Sequence, residues 1–351
     1  MSQYCWQKLT QPILGLAPMD GVSDHPFRQI TKKYGQPDLI YTEFCSVEAL
    51  CRGQKYFPRE LFYDHDQQPI IAQVYGQTPR FFRQVAVLLC QLGFAGIDLN
   101  MGCPSKNVTN SGAGAGLIKT PLLAQQIIQA TQAGVEDWLN GKTVADCADL
   151  SAAVKTVSQT TLPCSPILVT VRKPVPVSIK TRLGYKQQQL KDWLPRLLAM
   201  QPAAIALHGR TFKQGYSGQA DWSAIGQAVE LAQGTDTLIL GNGNVQSRQE
   251  AVLKAQTYGV AGVLIGRASW GNPWVFQDYQ PSLAEKIQVA LEHCYLYEQT
   301  FHQQRKYSFA PMRKHLGWYV KGFSQAKALR VQLFQTNSPQ EVKKAFEHYK
   351  A

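Results

Sequence analysis

The chain has 351 residues, of which 44% are apolar and 17% charged, a composition typical of a folded protein with a sizeable core and not of a disordered chain. Its formal net charge of +12 favours partners that carry negative charge, such as nucleic acid, a phosphorylated cofactor or an anionic membrane. The eight cysteines are too sparse for a disulfide scaffold, and they contain no C-x-x-C pair that would indicate a metal site. The sequence has no apolar run near the ~18 residues of a membrane helix and no signal-peptide pattern. We therefore expect a cytoplasmic protein with reduced thiols, no metal site and no membrane contact.

Eight short apolar, β-prone runs are spaced along the first 266 residues, and longer amphipathic segments separate most of them. In one such segment, 79–93, Phe82, Val85 and Leu89 fall at helical spacing. Strand–helix alternation predicts parallel strands with crossover helices, and eight units favour a (β/α)₈ TIM barrel of the α/β class over a doubly wound sheet. The predicted strands are 12–17, 38–43, 69–75, 95–100, 175–182, 203–208, 237–242 and 260–266.

Two changes of pattern divide the chain. Between Pro121 and Val175 the chain is roughly twice as long as one crossover needs, so we predict an inserted segment over 134–174. After residue 281 the strands give way to helical segments, among them 282–304 and 339–350. We predict a barrel domain over 1–281 and an all-helical domain over 282–351.

The predicted helical domain is basic, with 11 Lys or Arg and 5 Asp or Glu in residues 283–351. Aromatic residues lie among these charges, and the combination suits a nucleic-acid backbone with exposed bases. The alternative is a small helical bundle with an aromatic core and solvated lysines, and both can hold together. The residues concerned are Tyr307, Phe309, His315, Trp318, Tyr319 and Phe323, beside Arg305, Lys306, Arg313, Lys314 and Lys321.

Glycine-rich segments follow the last two predicted strands, at GNGNV (241–245) and IGRASWGNPW (265–274). In TIM barrels this position commonly binds a phosphate through backbone N–H groups, and Arg267 could add a charge-assisted bond. A strand-linked G-x-G-x-x-G is missing from the sequence, which argues against a Rossmann dinucleotide site. The phosphate of a flavin mononucleotide would suit this end of the barrel.

Lys180 and Arg182 are two residues apart on the fifth predicted strand and therefore share one face. A cation at the barrel mouth would stabilise the negative charge of a reduced flavin. His208, at the end of the sixth predicted strand, could donate a hydrogen bond to the cofactor or serve only the structure.

Cys103 lies in LNMGCPSKNVTNSGAGAG (99–116), where a strand ends and a glycine-rich loop begins. A nucleophile would need a nearby base and a metal ligand would need partners, and the neighbouring sequence offers neither. A general acid needs only a thiol that is protonated at neutral pH, and an ordinary cysteine with a pKa of roughly 8.5 meets that requirement. The sequence therefore favours a general acid.

Six motifs in order resemble the tRNA-dihydrouridine synthase family over nearly the whole chain. The segment CPSKNVTNSGAGAGLIKTP (103–121) is also similar to the bacterial subgroup that modifies uridine 16 of tRNA. The motifs are APMDGVSDHPFR (17–28), LNMGCPS (99–105), SIKTRLG (178–184), LHGRT (207–211) with QGYSG (214–218), GNGNV and IGRA.

This resemblance implies a flavin-dependent oxidoreductase that reduces the C5–C6 double bond of a uridine in the tRNA D-loop, with FMN as cofactor and NADPH as reductant. The flavin N5 would pass hydride to C6 and Cys103 would protonate C5, while Asn100, Arg182 and Tyr216 would hold the uracil. The helical domain would bind tRNA, and we expect a monomer. The positions that match FMN contacts are Pro18, Met19, Asp20, Gln73, Lys180, His208, Asn242, Gly243, Asn244, Gly266 and Arg267.

Two alternatives remain at this point. Another FMN barrel reductase, such as a dihydroorotate-dehydrogenase-like or old-yellow-enzyme-like protein, would explain the flavin positions but not the basic helical domain. A tRNA-binding protein without catalysis is disfavoured because Cys103, Lys180 and Arg182 are all present. The 134–174 segment has no counterpart in the compact bacterial members, which leaves the target uridine open.

Overall fold

A computed structural model describes residues 6, 9–52, 58–157, 171–304, 306–323 and 325–350, with side chains as far as His348. Within these ranges nine strands, numbered in chain order, form one fully parallel sheet. The strands are β1 (Ile13–Leu16), β2 (Leu39–Tyr41), β3 (Cys45–Ser46), β4 (Ile70–Tyr75), β5 (Gly96–Met101), β6 (Val177–Arg182), β7 (Ala204–His208), β8 (Leu238–Asn242) and β9 (Gly262–Ile265).

The sheet closes into the predicted barrel. Its order is β2-β1-β9-β8-β7-β6-β5-β4-β3, and the additional pairing of β2 with β4 completes a ring of eight strands. The strand β3 lies outside that ring, paired only with β4, and the sequence did not predict it. The (β/α)₈ fold is therefore confirmed.

Helices surround the barrel, and four more follow it at the C-terminus. The loops that follow the strands lie at one end of the barrel, where the carboxyl ends of the parallel strands meet. The helices are α1 (His25–Gly35), α2 (Val47–Arg52), α3 (Pro79–Gln91), α4 (Lys106–Asn110), α5 (Pro121–Leu139), α6 (Ala152–Val157), α7 (Leu190–Leu198), α8 (Trp222–Leu231), α9 (Arg248–Tyr258), α10 (Leu283–Phe301), α11 (Ala310–Tyr319), α12 (Ala326–Leu333) and α13 (Pro339–Lys350).

The barrel interior changes from apolar to polar along the strands. Side chains of the strands form an apolar cluster that includes Ile13, Tyr41 and Leu240. Because successive residues of a strand face opposite sides, the parallel register stacks inward-facing polar residues in layers toward the carboxyl ends. The paired residues are Gln73 with Asp98, Asp98 with Ser178, Asn100 with Lys180, Arg182 with His208, and His208 with Asn242.

Part of the predicted inserted segment continues a helix of the barrel, because residues 134–139 form the last turns of α5. The guanidinium of Arg83 on α3 donates two hydrogen bonds to Asp137 at 2.7 and 2.8 Å, which fixes α5 against α3. Residues 158–170 of the segment lie outside the described residues. The domain limits at 281 and 282 remain a prediction.

The C-terminal helices begin at a capping box, in which Ser282 and Glu285 satisfy each other's backbone N–H groups. The helix α10 packs on α1, where Glu292 accepts hydrogen bonds from Lys33 and Tyr34 at 2.7 and 2.6 Å. In the described part of the chain, no helix is both long and apolar enough to span a bilayer.

The aromatic residues predicted to stack on bases are partly core residues. Phe309, His315 and Tyr319 are buried at 4%, 2% and 3% exposure, so their rings cannot reach a nucleic-acid base. His315 meets His293 of α10 edge to face, with ring centres 5.0 Å apart. The bundle-core alternative is correct for these three residues, and Arg305 lies outside the described residues.

Candidate active site

All fifteen residues that the sequence assigned to catalysis, cofactor or substrate line one cavity of about 670 Å³ at the carboxyl ends of the strands. The cavity also contacts Phe44, Arg210 and Trp270, which sequence reasoning did not assign to it. The structure therefore brings every predicted site residue together, although it does not by itself assign their roles.

The loop after β1 forms one wall of the cavity through Pro18, Met19 and Asp20. The Met19 backbone N–H donates to the Ser23 hydroxyl at 2.9 Å, and its sulfur accepts a hydrogen bond from the Trp270 indole at 3.2 Å. These contacts hold the loop against the segment that follows β9.

The Cys103 thiol is partly buried in the opposite wall. Its backbone N–H donates to Asn100 Oδ1 at 2.9 Å, and its sulfur accepts from the Ser105 N–H at 3.5 Å. Burial is the main factor that raises the pKa of the Cys103 thiol, and Arg182 opposes the rise. The sulfur is therefore protonated at neutral pH, as a proton donor requires.

Gly114 packs closely against Val108 and Cys103. Its φ of 57° lies in the left-handed region, and a Cβ there would stand 2.8 Å from Val108 Cγ1 and 3.3 Å from Cys103 Cβ. Any side chain at this position would displace the loop that carries the thiol.

Lys180 and Arg182 project from β6 into the cavity, as their spacing predicts. Lys180 Nζ donates to Asn242 Oδ1 at 3.2 Å, and burial lowers the pKa of Lys180 to about 8, with Arg182 adding to the effect. The Arg182 guanidinium donates from Nε to the Gly102 carbonyl at 2.7 Å, so it ties β6 to the loop of Cys103.

His208 and Arg210 form a pair that sequence reasoning only half recognised. Arg210 Nη1 lies 3.2 Å from His208 Nε2, and because a guanidinium has only donors, Nε2 must accept and the ring proton is on Nδ1. Burial holds the pKa of His208 well below its ordinary value, so the ring is neutral. Arg210 is 1% exposed and also donates to Ser217, Gly218 and Asn244. The sequence signal for it was the H-x-R motif that begins at the last residue of β7.

The turn after β8 offers backbone groups to a ligand. Gly243 has φ 125°, and a Cβ there would lie 2.7 Å from the Ala220 Cβ, so glycine is required. Tyr216 is 61% exposed at the rim, with the Arg267 guanidinium 5.3 Å and the Arg182 guanidinium 5.9 Å from its ring centre.

Among the described residues that line the cavity, four side chains are cationic, Lys180, Arg182, Arg210 and Arg267, and one, Asp20, is a carboxylate. This excess of positive charge favours an anionic ligand. The Gly243 turn and Arg267, which both line the cavity, fit a phosphate, and the buried cation Lys180 fits a flavin ring. The residues present therefore fit FMN.

Comparison with known proteins identifies the family. The dihydrouridine synthase (Dus) family profile matches residues 15–159 and 164–351, so only 160–163 of the predicted insertion fall outside it. A probable tRNA-dihydrouridine synthase 2 of Bacillus subtilis (strain 168) is 31% identical over 350 residues, 98% of this chain and 95% of that protein. A probable tRNA-dihydrouridine synthase of Staphylococcus aureus (strain MRSA252) is 31% identical over 358 residues, 100% of this chain and 97% of that protein.

Similar solved structures include a morphinone reductase, with a TM-score of 0.44 and 11% identity over 76% of this chain and 85% of that one. Another is a DHODH of Eimeria tenella, with a TM-score of 0.40 and 11% identity over 73% of this chain and 62% of that one. Both likenesses are weak, and the fold assignment rests on the strand pairing described above.

Proposed function

This chain belongs to the tRNA-dihydrouridine synthase family and is a flavin-dependent oxidoreductase, and we propose that it uses FMN and NADPH to reduce the C5–C6 double bond of a uridine in the D-loop of tRNA. The observation that carries the proposal is the arrangement of the cavity. A protonated thiol, Cys103, shares it with two strand cations, Lys180 and Arg182, and with the Gly243 turn.

The residues that would hold FMN divide into two groups. Arg267 and the turn at Gly243 and Asn244 would bind the phosphate through charge and backbone N–H groups. Lys180 would face the part of the ring system that becomes negative on reduction, and His208 would donate its Nδ1 proton into the cavity. FMN, when bound, supplies the hydride that adds to C6 of the uracil.

Cys103 would then give its proton to C5. The C5–C6 double bond becomes a single bond, one hydrogen arrives as hydride and one as a proton, and NADPH is oxidised to NADP⁺. The Cys103 thiolate would then regain its proton from solvent. A thiol whose pKa is raised by burial keeps this proton until the carbon develops negative charge. Asn100 and Arg182 would hold the uracil, and Tyr216 at the exposed rim would line its entrance.

The uridine must leave its stack to reach this cavity. The basic C-terminal helices would bind the tRNA backbone, since Lys306, Lys321 and Lys327 are exposed there. A monomeric state and a cytoplasmic location remain predictions from the sequence.

The test uses purified protein, FMN, NADPH and tRNA isolated without dihydrouridine, with each nucleoside mapped by mass spectrometry. We expect a gain of two hydrogens at one D-loop uridine, and none when NADPH is omitted. A flavin-containing protein that oxidises NADPH with a small enone but leaves tRNA unchanged would refute the proposal in favour of a small-molecule reductase.

A further inference from the structure

A chain of side-chain hydrogen bonds runs from the barrel interior to the Cys103 loop. Asp98, 0% exposed on β5, accepts from the Ser178 hydroxyl at 2.6 Å and from Gln73 Nε2 at 2.7 Å. Gln73 Oε1 accepts from Asn100 Nδ2 at 2.9 Å. We call Asp98, Gln73 and Asn100 the amide relay.

The hydrogen-bond partners at the two ends of the amide relay require the same orientation of the Gln73 and Asn100 side-chain amides. At the upper end, Asn100 Oδ1 accepts from the backbone N–H groups of Gly102 and Cys103 at 3.2 and 2.9 Å, and backbone N–H groups can only donate. At the lower end, burial raises the pKa of Asp98 to about 6, so at pH 7.5 it is a carboxylate that can only accept. Neither side-chain amide can exchange the positions of its oxygen and nitrogen without placing two acceptors or two donors in contact.

This orientation of the amides determines which hydrogen-bonding groups Asn100 and Arg182 have free for a substrate. Asn100 has both oxygen lone pairs occupied, and one of its two N–H bonds is used by Gln73, so the second N–H is its remaining polar group. Arg182 uses Nε and Nη1 on the carbonyls of Gly102, Thr211 and Gly215, which leaves the Nη2 donors. These two residues therefore present donors and no acceptor.

We propose that Asp98 is a positioning residue that acts through Gln73 to fix Asn100 as a donor, and that this donor-only surface selects uracil over cytosine. The proposal rests on the proposed function, and it assigns a role to a carboxylate that does not touch the substrate. Uracil presents carbonyl oxygens at C2 and C4, which accept from such donors. Cytosine presents an amino group at C4 in place of the carbonyl, and a donor that faces this amino group would leave both groups unpaired.

The test compares three variants by dihydrouridine formation on tRNA. Asp98→Leu removes the acceptor for Gln73, and we expect kcat/KM to fall at least tenfold. Asp98→Asn keeps an acceptor toward Gln73 while the Ser178 hydroxyl turns to accept, so we expect it to stay within threefold of the native protein. Ser178→Ala removes the bond on the other side of Asp98 and is the matched control, also within threefold.

Two further measurements separate positioning from general damage. In an Asn100→Ala background the Asp98→Leu change should cost less than threefold, because the relay is already cut at its upper end. A transcript with cytidine at the target position should compete at least tenfold less well than the uridine transcript for the native protein, and this ratio should shrink in Asp98→Leu. If Asp98→Leu does not fold, Gln73→Met cuts the same relay at the next residue and should shrink the ratio likewise.

The outcomes are distinguishable from failure of the proposed function. Native protein that forms no dihydrouridine refutes the proposed function. Active native protein in which Asp98→Leu matches Asp98→Asn, or in which the loss is unchanged by Asn100→Ala, refutes the role of Asp98. Flavin fluorescence titrations of each variant report whether FMN binding has changed as well.

Discussion

Lys180 should make FMN affinity fall as the pH rises through 8. Its pKa of about 8 in the ligand-free protein means that it is about 90% protonated at pH 7 and about 10% at pH 9. If bound flavin and its negative charge keep the amine protonated, the apparent Kd rises in inverse proportion to the protonated fraction, which gives about a tenfold weakening from pH 7 to pH 9.

Three other cavity groups have pKa values that are shifted away from this interval or lie above it. The pKa of His208 lies well below 6.5, that of Arg182 is lowered only to about 10, and that of the Cys103 thiol is raised above its ordinary value. Of these four groups, Lys180 is the one whose pKa, about 8, lies between pH 7 and pH 9.

The assay is quenching of FMN fluorescence by apoprotein, titrated at intervals from pH 7 to pH 9. Lys180→Met should bind FMN weakly with little pH dependence, and Lys180→Arg, which stays charged, should also lose the slope. A tenfold slope that persists in Lys180→Met would refute the assignment of Lys180 as the titrating flavin contact. A flat native profile would refute the lowered pKa.

Three other outcomes are expected. Cys103→Ala should keep FMN binding and NADPH oxidation but form dihydrouridine about 10²–10⁴-fold more slowly by single-turnover assay, and undiminished turnover would remove it as the acid. Gly243→Ala should weaken FMN binding and lower the melting temperature, whereas Gly141→Ala, also at positive φ but in open space, should leave FMN affinity unchanged. Replacing the exposed Lys321 and Lys327 by Glu should weaken tRNA binding in filter-binding titrations, and the slope of log affinity against log salt concentration should fall by about one per lysine. NADPH oxidation is the control, and unchanged tRNA affinity would contradict the basic-surface argument.

Much of the barrel could be predicted because its strands carry a strong local signal. The predicted strand 69–75 became Ile70–Tyr75, and 175–182 became Val177–Arg182. The strand Cys45–Ser46 was not predicted because two residues are too few to show the alternation of a strand. The site residues followed from the barrel itself, since a residue at a strand's carboxyl end points into the same mouth as its counterparts on other strands.

Other features depend on contacts that one sequence cannot show. Asp98 lies inside the predicted strand 95–100, and its partners Gln73 and Ser178 are found only through the strand register. The function of Arg210 arises because one guanidinium reaches two loops that are separate in sequence. The aromatic residues predicted to stack on bases are buried or partly buried, and basic composition alone could not show this.

The stacked indoles of Trp270 and Trp318 limit how this protein can be recombined with its relatives. Their ring centres are 4.4 Å apart, and a Cβ at Gly271 would lie 2.4 Å from the Trp318 carbonyl carbon. The loop after β9 and the helix α11 are thus shaped to each other, and the same Trp270 holds Met19 at the cavity wall. The C-terminal helices therefore cannot be exchanged alone. A chimeric protein that takes them from another family member must also take the matching 266–274 loop.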